Sequence, residues 1–474
     1  MANSSFKNIF LKFFEFTPTL DQDNLINSLE NFLFSPAQNV FVLKGYAGVG
    51  KTTVIGAFIK TLSSFGLQSV LLAPTGRAAK VLSAYSKRRS FTIHKYIYFT
   101  HRNDPDFQIK LKENKSQYTI YIVDESSMIG QYSDNGFAQR CLLDDLMYYV
   151  KQGLECKIIF IGDVAQLPPV KESYSPALNC DYLEHNYSIT TCTYQLTQVV
   201  RQALDSTILR NASNLRYRLE KNNYSLPLLR TIKDKNDFIA LRVENFEEEL
   251  SNAYKEYGID EVICICRSNK VANALNNRIR YMILDRENLI DSQDKLMAVK
   301  NNYFWLEKYS KEGFIANGDI LKIKKILGFE DRFGYHFADI IATFIDYEEE
   351  LEIELTILLD TLSLDKASMD NTGEEGLYHK VFAYYYNECG NKIQAKRNTL
   401  NDKYFNAVQV KFANALTCHK AQGGGWKAVF VCQNYFTEDM LNKDYLQWLY
   451  TAITRAKEKI YMVGFSEDFF KQIE

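Results

Sequence analysis

The stretch Gly45-Tyr46-Ala47-Gly48-Val49-Gly50-Lys51-Thr52 constrains this chain more than any other, because it fits GxxxxGK[ST], the pattern of a phosphate-cradling P-loop. Its flanks support the match. Asn39–Leu43 is a short apolar run that reads as a buried parallel strand, and Thr53–Leu62 carries Val54, Ile55, Phe58 and Leu62 at helical spacing. The loop therefore lies between a strand end and a helix start. There glycines let the backbone close around phosphate while the helix N-terminus points N–H groups at it. Gly45, Gly48, Gly50 and Thr53 are candidate nucleotide contacts. Lys51 is expected to reach the β- and γ-phosphates of ATP and Thr52 to hold Mg²⁺.

Other apolar runs end in residues suited to chemistry beside such a loop. Tyr118–Val123 reads as a buried strand followed by Asp124-Glu125-Ser126-Ser127. Two carboxylates there are costly as mere structure. As a pair they suit Mg²⁺ held by Asp124 and water activated by Glu125; a helix cap is the plain alternative. Lys157–Ile161 is another strand, followed by GDVAQLPPV. Its Gln166 is a neutral amide able to sense a γ-phosphate without competing for its charge. Ser69–Ala73 runs into Pro74-Thr75-Gly76-Arg77-Ala78-Ala79-Lys80, whose small and hydroxyl residues suit backbone or ligand contact at a strand's carboxyl end. Upstream, Thr17–Gln22 opens a helix with Leu25, Ile26, Leu29 and Leu33 on one face. Gln22 reads either as a surface residue or as an amide for an adenine edge.

Composition narrows the class. A chain of 474 residues holds several domains, and 46% hydrophobic with 24% charged residues is ordinary for a soluble globular protein. No apolar run reaches membrane-spanning length, and the N-terminus lacks a signal-peptide layout. The nine cysteines form no CxxC pair and no zinc spacing with the six histidines, so a reduced, cytoplasmic setting is expected. The net charge of −2 hides segregation: Ser86–Lys115 holds eight basic residues against three acidic, and Asp346–Glu375 eleven acidic against Lys366 alone. A basic patch beside a nucleotide-binding core suits a phosphate-backbone partner or a solvated face.

Inside the basic patch, Ile97-Tyr98-Phe99 and Phe107–Leu111 flank Arg102–Asp106, which is rich in turn formers and predicts a β-hairpin. Phe99 and Phe107 either stack on bases or pack the hairpin onto the first domain. Glu261–Cys266 is a strand of a further α/β unit. From Gly318 the character changes: Asp319–Ile326, Ile340–Ile345 and Leu351–Leu359 read as strands of a small β-domain near 318–410. Beyond it stand Thr417–Trp426, the strand Ala428–Cys432, Leu449–Lys457 and the strand Lys459–Val463.

In order, GYAGVGKTT, APTGRAAK, TIHK, VDESSM, GDVAQLPPV, the arginine of QVVRQ, TCHKAQG and YTAITRAK resemble the motifs of superfamily 1 DNA helicases, most closely the RecD/Dda-like branch. The resemblance covers roughly residues 20–465 and is weakest across 210–410. It implies that Gln22 reads adenine, that Lys51 and Thr52 hold phosphate and Mg²⁺, and that Asp124 and Glu125 hold the metal and activate water. It makes Gln166 the coupler of γ-phosphate to domain movement, and sends Arg201 and Arg455 across the cleft from a second RecA-like domain. It puts Thr75, His94, Thr417, His419 and Lys420 against single-stranded DNA. One segment departs: Gly423-Gly424-Gly425-Trp426 carries glycine where the family tends to have a polar residue. Backbone contact to phosphate at Gly423 is left, with Trp426 as a core residue.

The implied fold is α/β: two RecA-like P-loop domains with parallel sheets, a β-hairpin insertion in the first and a small SH3-like β-barrel insertion in the second. The expected division is 1–84 with 118–197, 198–317 with 411–474, and insertions at 85–117 and 318–410. The implied function is an ATP-dependent DNA helicase moving 5′ to 3′, with the hairpin as a pin. Its partners are single-stranded DNA, duplex junctions and replication or repair proteins, and no membrane. The alternatives are an RNA-directed superfamily 1 helicase and an ATP-gated clamp or sensor, against which Glu125, Arg201 and Arg455 argue. No metal-binding nuclease cluster assembles outside the ATP site.

Overall fold

Two all-parallel sheets organise the molecule, as buried runs of Val, Ile, Leu and Phe require. The computed structural model describes residues 3–100, 109–131, 141–200, 206–232, 235–306, 314–345, 351–366, 368–369 and 376–473. The first sheet contains β1 (Val40–Gly45), β2 (Gln68–Ala73) and β3 (Phe91–Thr92). After a separate hairpin of β4 (Tyr98–Thr100) and β5 (Ile109–Leu111) it continues with β6 (Thr119–Val123), β7 (Lys157–Gly162) and β8 (Thr191–Leu196). Its order is β3-β2-β6-β7-β1-β8. The carboxyl ends of β2, β6, β7 and β1 are therefore neighbours, which gathers the TGRAAK, acidic-pair, GDVAQ and P-loop segments along one edge.

The second sheet has the order β10-β19-β18-β11-β17. In chain order its neighbourhood holds β9 (Leu229–Ile232), which pairs outside the sheet with β20 (Phe470–Ile473), then β10 (Phe238–Leu241) and β11 (Val262–Cys266). A closed barrel follows: β12 (Lys295–Ala298), β13 (Ile320–Arg332), β14 (Tyr335–Phe344), β15 (Glu352–Leu358) and β16 (Val408–Phe412). The chain then returns through β17 (Ala415–Thr417), β18 (Trp426–Cys432) and β19 (Ala456–Val463). A continuous buried cluster runs from Phe6 and Phe58 through Leu167 to Tyr450 and Phe469, so both RecA-like units share one apolar seam. No helix among the described residues is long and apolar enough to cross a membrane, and the nine cysteines form no disulfide.

Three details differ from the sequence pattern. The barrel recruits β12, which precedes residue 318; four fully buried residues carry no periodicity that separates strand from helix. Two helices, Leu377–Cys389 and Lys392–Leu400, stand between β15 and β16. The first buries only Leu377 and Val381, a stripe too narrow to read as amphipathic. Ile97 ends a short helix, Ile93–Ile97, capped by Thr92, so the hairpin begins at Tyr98 and pairs Tyr98 with Leu111 and Phe99 with Lys110. Its tip, residues 101–108 with Phe107, lies outside the described residues.

The first sheet is tied to the helix Leu20–Phe34 by Lys157, the first residue of β7. Its buried ammonium donates to the carbonyls of Phe32 (2.8 Å), Gln38 (2.9 Å) and Ser35, and lies 4.9 Å from the Phe32 ring centroid. A cation there answers carbonyls that the helix end leaves unbonded. Lys157→Met is expected to lower unfolding stability by about 2–3 kcal/mol, since buried carbonyls lose their donor. Urea unfolding checks this, and an unchanged midpoint would remove Lys157 from the role.

Candidate functional site

β1 delivers Gly45 into a loop that turns at Gly48 and Gly50, with φ of 78° and 83°, and the helix Lys51–Ser64 starts directly after. Both angles lie in the left-handed region open to glycine. A Cβ on Gly50 would stand 2.6 Å from Gln22 Nε2. Gly50 caps the helix without a side chain and the first turn holds no acidic residue, so its leading N–H groups suit an anion. Thr52 is exposed and Thr53 half-buried.

Each residue from Gly45 to Val49 has a backbone group bound by a neighbour. The Lys51 ammonium donates to the carbonyls of Gly45 (2.5 Å) and Tyr46 (2.8 Å). The Ala47 N–H donates to the Tyr450 hydroxyl (3.0 Å) and the Val200 N–H to the Gly48 carbonyl (3.1 Å). Gln22 Nε2 donates to the Val49 carbonyl (3.1 Å). Gln22 is not a surface residue: it is 3% exposed, and its Oε1 accepts from Thr19 N–H (3.0 Å) in a capping box. Its amide therefore braces the P-loop at one end and a helix start at the other.

At the end of β6, Asp124 Oδ2 accepts from the Tyr85 hydroxyl (2.8 Å) and Oδ1 from the Glu125 N–H (2.8 Å). Glu125 has φ of 52°, a conformation rare for a residue with a Cβ and common at functional positions. Burial pushes its carboxyl up, and the charges of Asp124 and Asp163 add to the rise, while Arg455 and Lys51 oppose it. One carboxyl thus feels the P-loop lysine, its own acidic neighbour and an arginine of the second domain. Arg455 is buried and held by Thr451 O, Gly424 O and Thr454 Oγ1, each at 3.1 Å. Arg201 lies outside the described residues.

The loop after β7 is gripped from the second domain. On the helix Lys443–Ile453, Tyr450 donates to Asp163 Oδ2 (2.6 Å), Thr451 Oγ1 accepts from Leu167 N–H (2.8 Å) and Gln447 Nε2 donates to Gln166 O (3.1 Å). Gln422 Nε2 adds a bond to Leu167 O (2.8 Å). The Gln166 side chain is buried, and its Oε1 has no hydrogen-bond partner among the described residues.

The residues expected at nucleic acid fall into two groups. Thr75 caps the helix Gly76–Ser86 through Ala78 N–H (3.3 Å), and Gly423 lies against it, where a Cβ would stand 2.8 Å from Ala78 Cβ. Thr417 heads the short helix Cys418–Ala421, which carries His419 and Lys420. Burial lowers the His419 pKa against a backbone bond at Pro168. Burial, with Lys411 nearby, pushes Lys420 down to about 8, and its Nζ has no hydrogen-bond partner among the described residues. Elsewhere, His94 packs on Tyr98 (5.7 Å) and Phe314 (6.4 Å), and burial pushes its pKa down to about 4, so it is neutral near pH 7. Phe99 is half-buried on the hairpin.

Residues 26–218 match the family model described as an AAA domain, and residues 412–463 match the UvrD-like helicase C-terminal domain. A protein of Methanocaldococcus jannaschii is 26% identical over 95% of this chain, which spans 38% of that protein's length. The RecBCD enzyme subunit RecD of Buchnera aphidicola subsp. Schizaphis graminum is 25% identical over 96% of this chain and 77% of its own. The ATP-dependent DNA helicase dda of Enterobacteria phage T4 is 25% identical over 94% of this chain and 99% of its own. Over nearly its whole length the chain is thus similar to superfamily 1 helicases of the RecD and Dda type.

Sequence reasoning about this chain misses several residues of the site. Gln422 and Tyr450 stand inside TCHKAQG and YTAITRAK, so their positions were visible and their partners were not. Tyr85 gives no signal beyond its place on a helix. Arg216, whose guanidinium lies 4.6 Å from the Tyr46 ring centroid, gives none either. Trp426 is buried, as expected, yet it also carries the Arg77 guanidinium 3.8 Å from its ring centroid. Gly424 makes room for that stack: a Cβ there would stand 2.6 Å from Trp426 Cη2 and 2.8 Å from Arg77 Nε. Gly424→Ala is therefore expected to lower stability by about 1–3 kcal/mol through overpacking. Thermal unfolding reads this, and a melt unchanged from the parent would show that the seam yields freely.

Proposed function

We propose that this protein is an ATP-dependent DNA helicase that moves 5′ to 3′ along single-stranded DNA and displaces the complementary strand. The observation that carries this reading is the convergence on Glu125 of Lys51, Asp124 and Arg455, drawn from the P-loop, a strand end and the second domain. Bound ATP with Mg²⁺ supplies the phosphoanhydride whose hydrolysis drives movement. Lys51, Thr52, Thr53 and the N–H groups after Gly48 and Gly50 hold its phosphates. Thr52 and Asp124 hold the cation; each Asp124 oxygen keeps a lone pair beyond the bond it accepts.

Glu125, its carboxyl raised, takes a proton from the attacking water, and Arg455 offsets charge on the transferring group. Gln166 senses that group, and Arg201 is assigned as a second cross-cleft arginine. The division into 1–84 with 118–197, 198–317 with 411–474, and insertions at 85–117 and 318–410 belongs to the same reading. Thr75, His94, Thr417, His419 and Lys420 face the strand; the hairpin with Phe99 and Phe107 is the pin. The names of the RecD and Dda relatives support DNA as substrate.

Strand displacement on matched 5′- and 3′-tailed duplexes tests the reading. The 5′ tail is expected to support unwinding, and efficient unwinding from a 3′ tail overturns the polarity. Glu125→Gln is expected to bind nucleotide and to lose DNA-stimulated hydrolysis by a factor of about 100 or more. Full activity there removes Glu125 as the base.

Lys420 adds a pH signature. With a pKa of about 8 in the free protein, it loses charge as pH rises through that value, whereas a phosphate beside it holds the proton on. Affinity for single-stranded DNA is expected to be full below pH 8 and to fall above it, with proton uptake on binding. Lys420→Arg should flatten the profile between pH 7 and about 10, because guanidinium stays charged. A profile unchanged by that substitution takes Lys420 out of the interface.

A further inference from the structure

We propose that Tyr450 is the positioning residue through which the second RecA-like domain feels the filling of the P-loop. The inference rests on the ATP-dependent reading above. Its hydroxyl sits between two loops of the first domain, accepting from Ala47 N–H at 3.0 Å and donating to Asp163 Oδ2 at 2.6 Å. The residue itself belongs to the helix Lys443–Ile453, and Arg455 follows five positions on. Gln447, Tyr450 and Thr451 share one helix face, the i, i+3, i+4 arrangement, and all three hold the loop after β7. Tyr450 alone of these three also binds the P-loop backbone.

The neighbouring bonds make this contact responsive. Lys51 holds the carbonyls of Gly45 and Tyr46, the two residues directly before Ala47. A phosphate drawn to the Lys51 ammonium competes with those carbonyls and frees the segment that presents the Ala47 N–H. The Tyr450 hydroxyl then loses or trades one partner while Asp163 keeps the other. The displacement passes into the helix whose end leads directly to Arg455, the arginine whose charge acts on Glu125. Tyr450 is 1% exposed, and burial beside the Asp163 charge raises its phenol far above the ordinary range, so it stays a donor at neutral pH.

Tyr450→Phe removes the hydroxyl and keeps the ring. Two readouts follow. Amide hydrogen exchange of the Lys44–Gly50 peptide, measured without nucleotide, is expected to speed up about tenfold at Ala47, the loss of one hydrogen bond. Exchange in β7 and β18 should be unchanged, which controls for folding. The ratio of kcat with and without single-stranded DNA is expected to fall at least about fivefold, while KM for ATP shifts less than about threefold, because the hydroxyl acts through backbone and not on phosphate.

Asp163→Ala should produce the same fall in that ratio, and the double variant should be no worse than either single, the mark of one shared bridge. If Tyr450→Phe does not fold, Asp163→Ala carries the DNA-ratio readout by itself, since it removes the Asp163 end of the bridge and leaves the Ala47 N–H bonded to the hydroxyl; an unchanged ratio there overturns the proposal. Unchanged exchange at Ala47 overturns the proposal. Faster exchange with an unchanged DNA ratio makes the contact merely structural and also overturns it. Absence of DNA-stimulated hydrolysis in the parent protein is the distinct failure of the helicase reading; the exchange measurement then decides on the bridge alone.

Discussion

The Tyr450 hydroxyl lies 2.6 Å from Asp163 Oδ2 in a buried cleft, a charge-assisted hydrogen bond between two domains. A buried carboxylate is destabilising unless its oxygens find donors. Asp163 has the Ala165 N–H (2.9 Å) from its own loop and Tyr450 from the other domain. The loop after β7 is therefore completed by the second domain rather than by the first alone. Gln447, Thr451 and Gln422 extend the same dependence to Gln166 and Leu167. Beneath them the apolar seam continues without a break from the first domain into the second.

That closure sets the electrostatics of the site. Glu125 is desolvated by it and brought under the charge of Arg455, so its proton affinity is decided by groups from both domains. The Arg455 hydrogen bonds all go to neutral oxygens of its own domain, which orients the guanidinium without neutralising it. Lys51, bonded to two loop carbonyls, is likewise answered by dipoles rather than by a carboxylate. Lys51 and Arg455 thus share one cleft with Asp124, Glu125 and Asp163 without a direct ion pair between them, a condition in which small displacements change proton affinity and attraction most.

The second domain meets the first again at the far side of the seam. Arg77 lies on the Trp426 ring, and Gly423 and Gly424 allow the approach, Gly423 with φ of 71°. The run of glycines that departs from the family pattern therefore has a packing reason here. A side chain at either position would push the backbone or the indole out of contact with the helix Gly76–Ser86. The His94, Tyr98, Phe314 and Tyr303 rings make a comparable bridge from the base of the hairpin to the segment before β13.

Much of the site was legible because its signals are local. The P-loop, the Asp124-Glu125 pair and the Gln166 segment each follow an apolar run, and such runs become buried strands whose carboxyl ends meet in a parallel sheet. Glycines at Gly48 and Gly50 announce left-handed turns on their own. What needed the tertiary structure were the answers to those groups. Gln22, open from the sequence to a surface place or an adenine edge, is a buried brace, β12 carries no period, and two helices of the barrel insertion show too narrow an apolar stripe. Ala47 and Tyr450 are 403 residues apart, and no local pattern links a backbone N–H to a phenol at that separation. Strand ends and turns are decided by neighbours along the chain, whereas the partner of a buried polar group is decided by whichever element packing brings across the cleft.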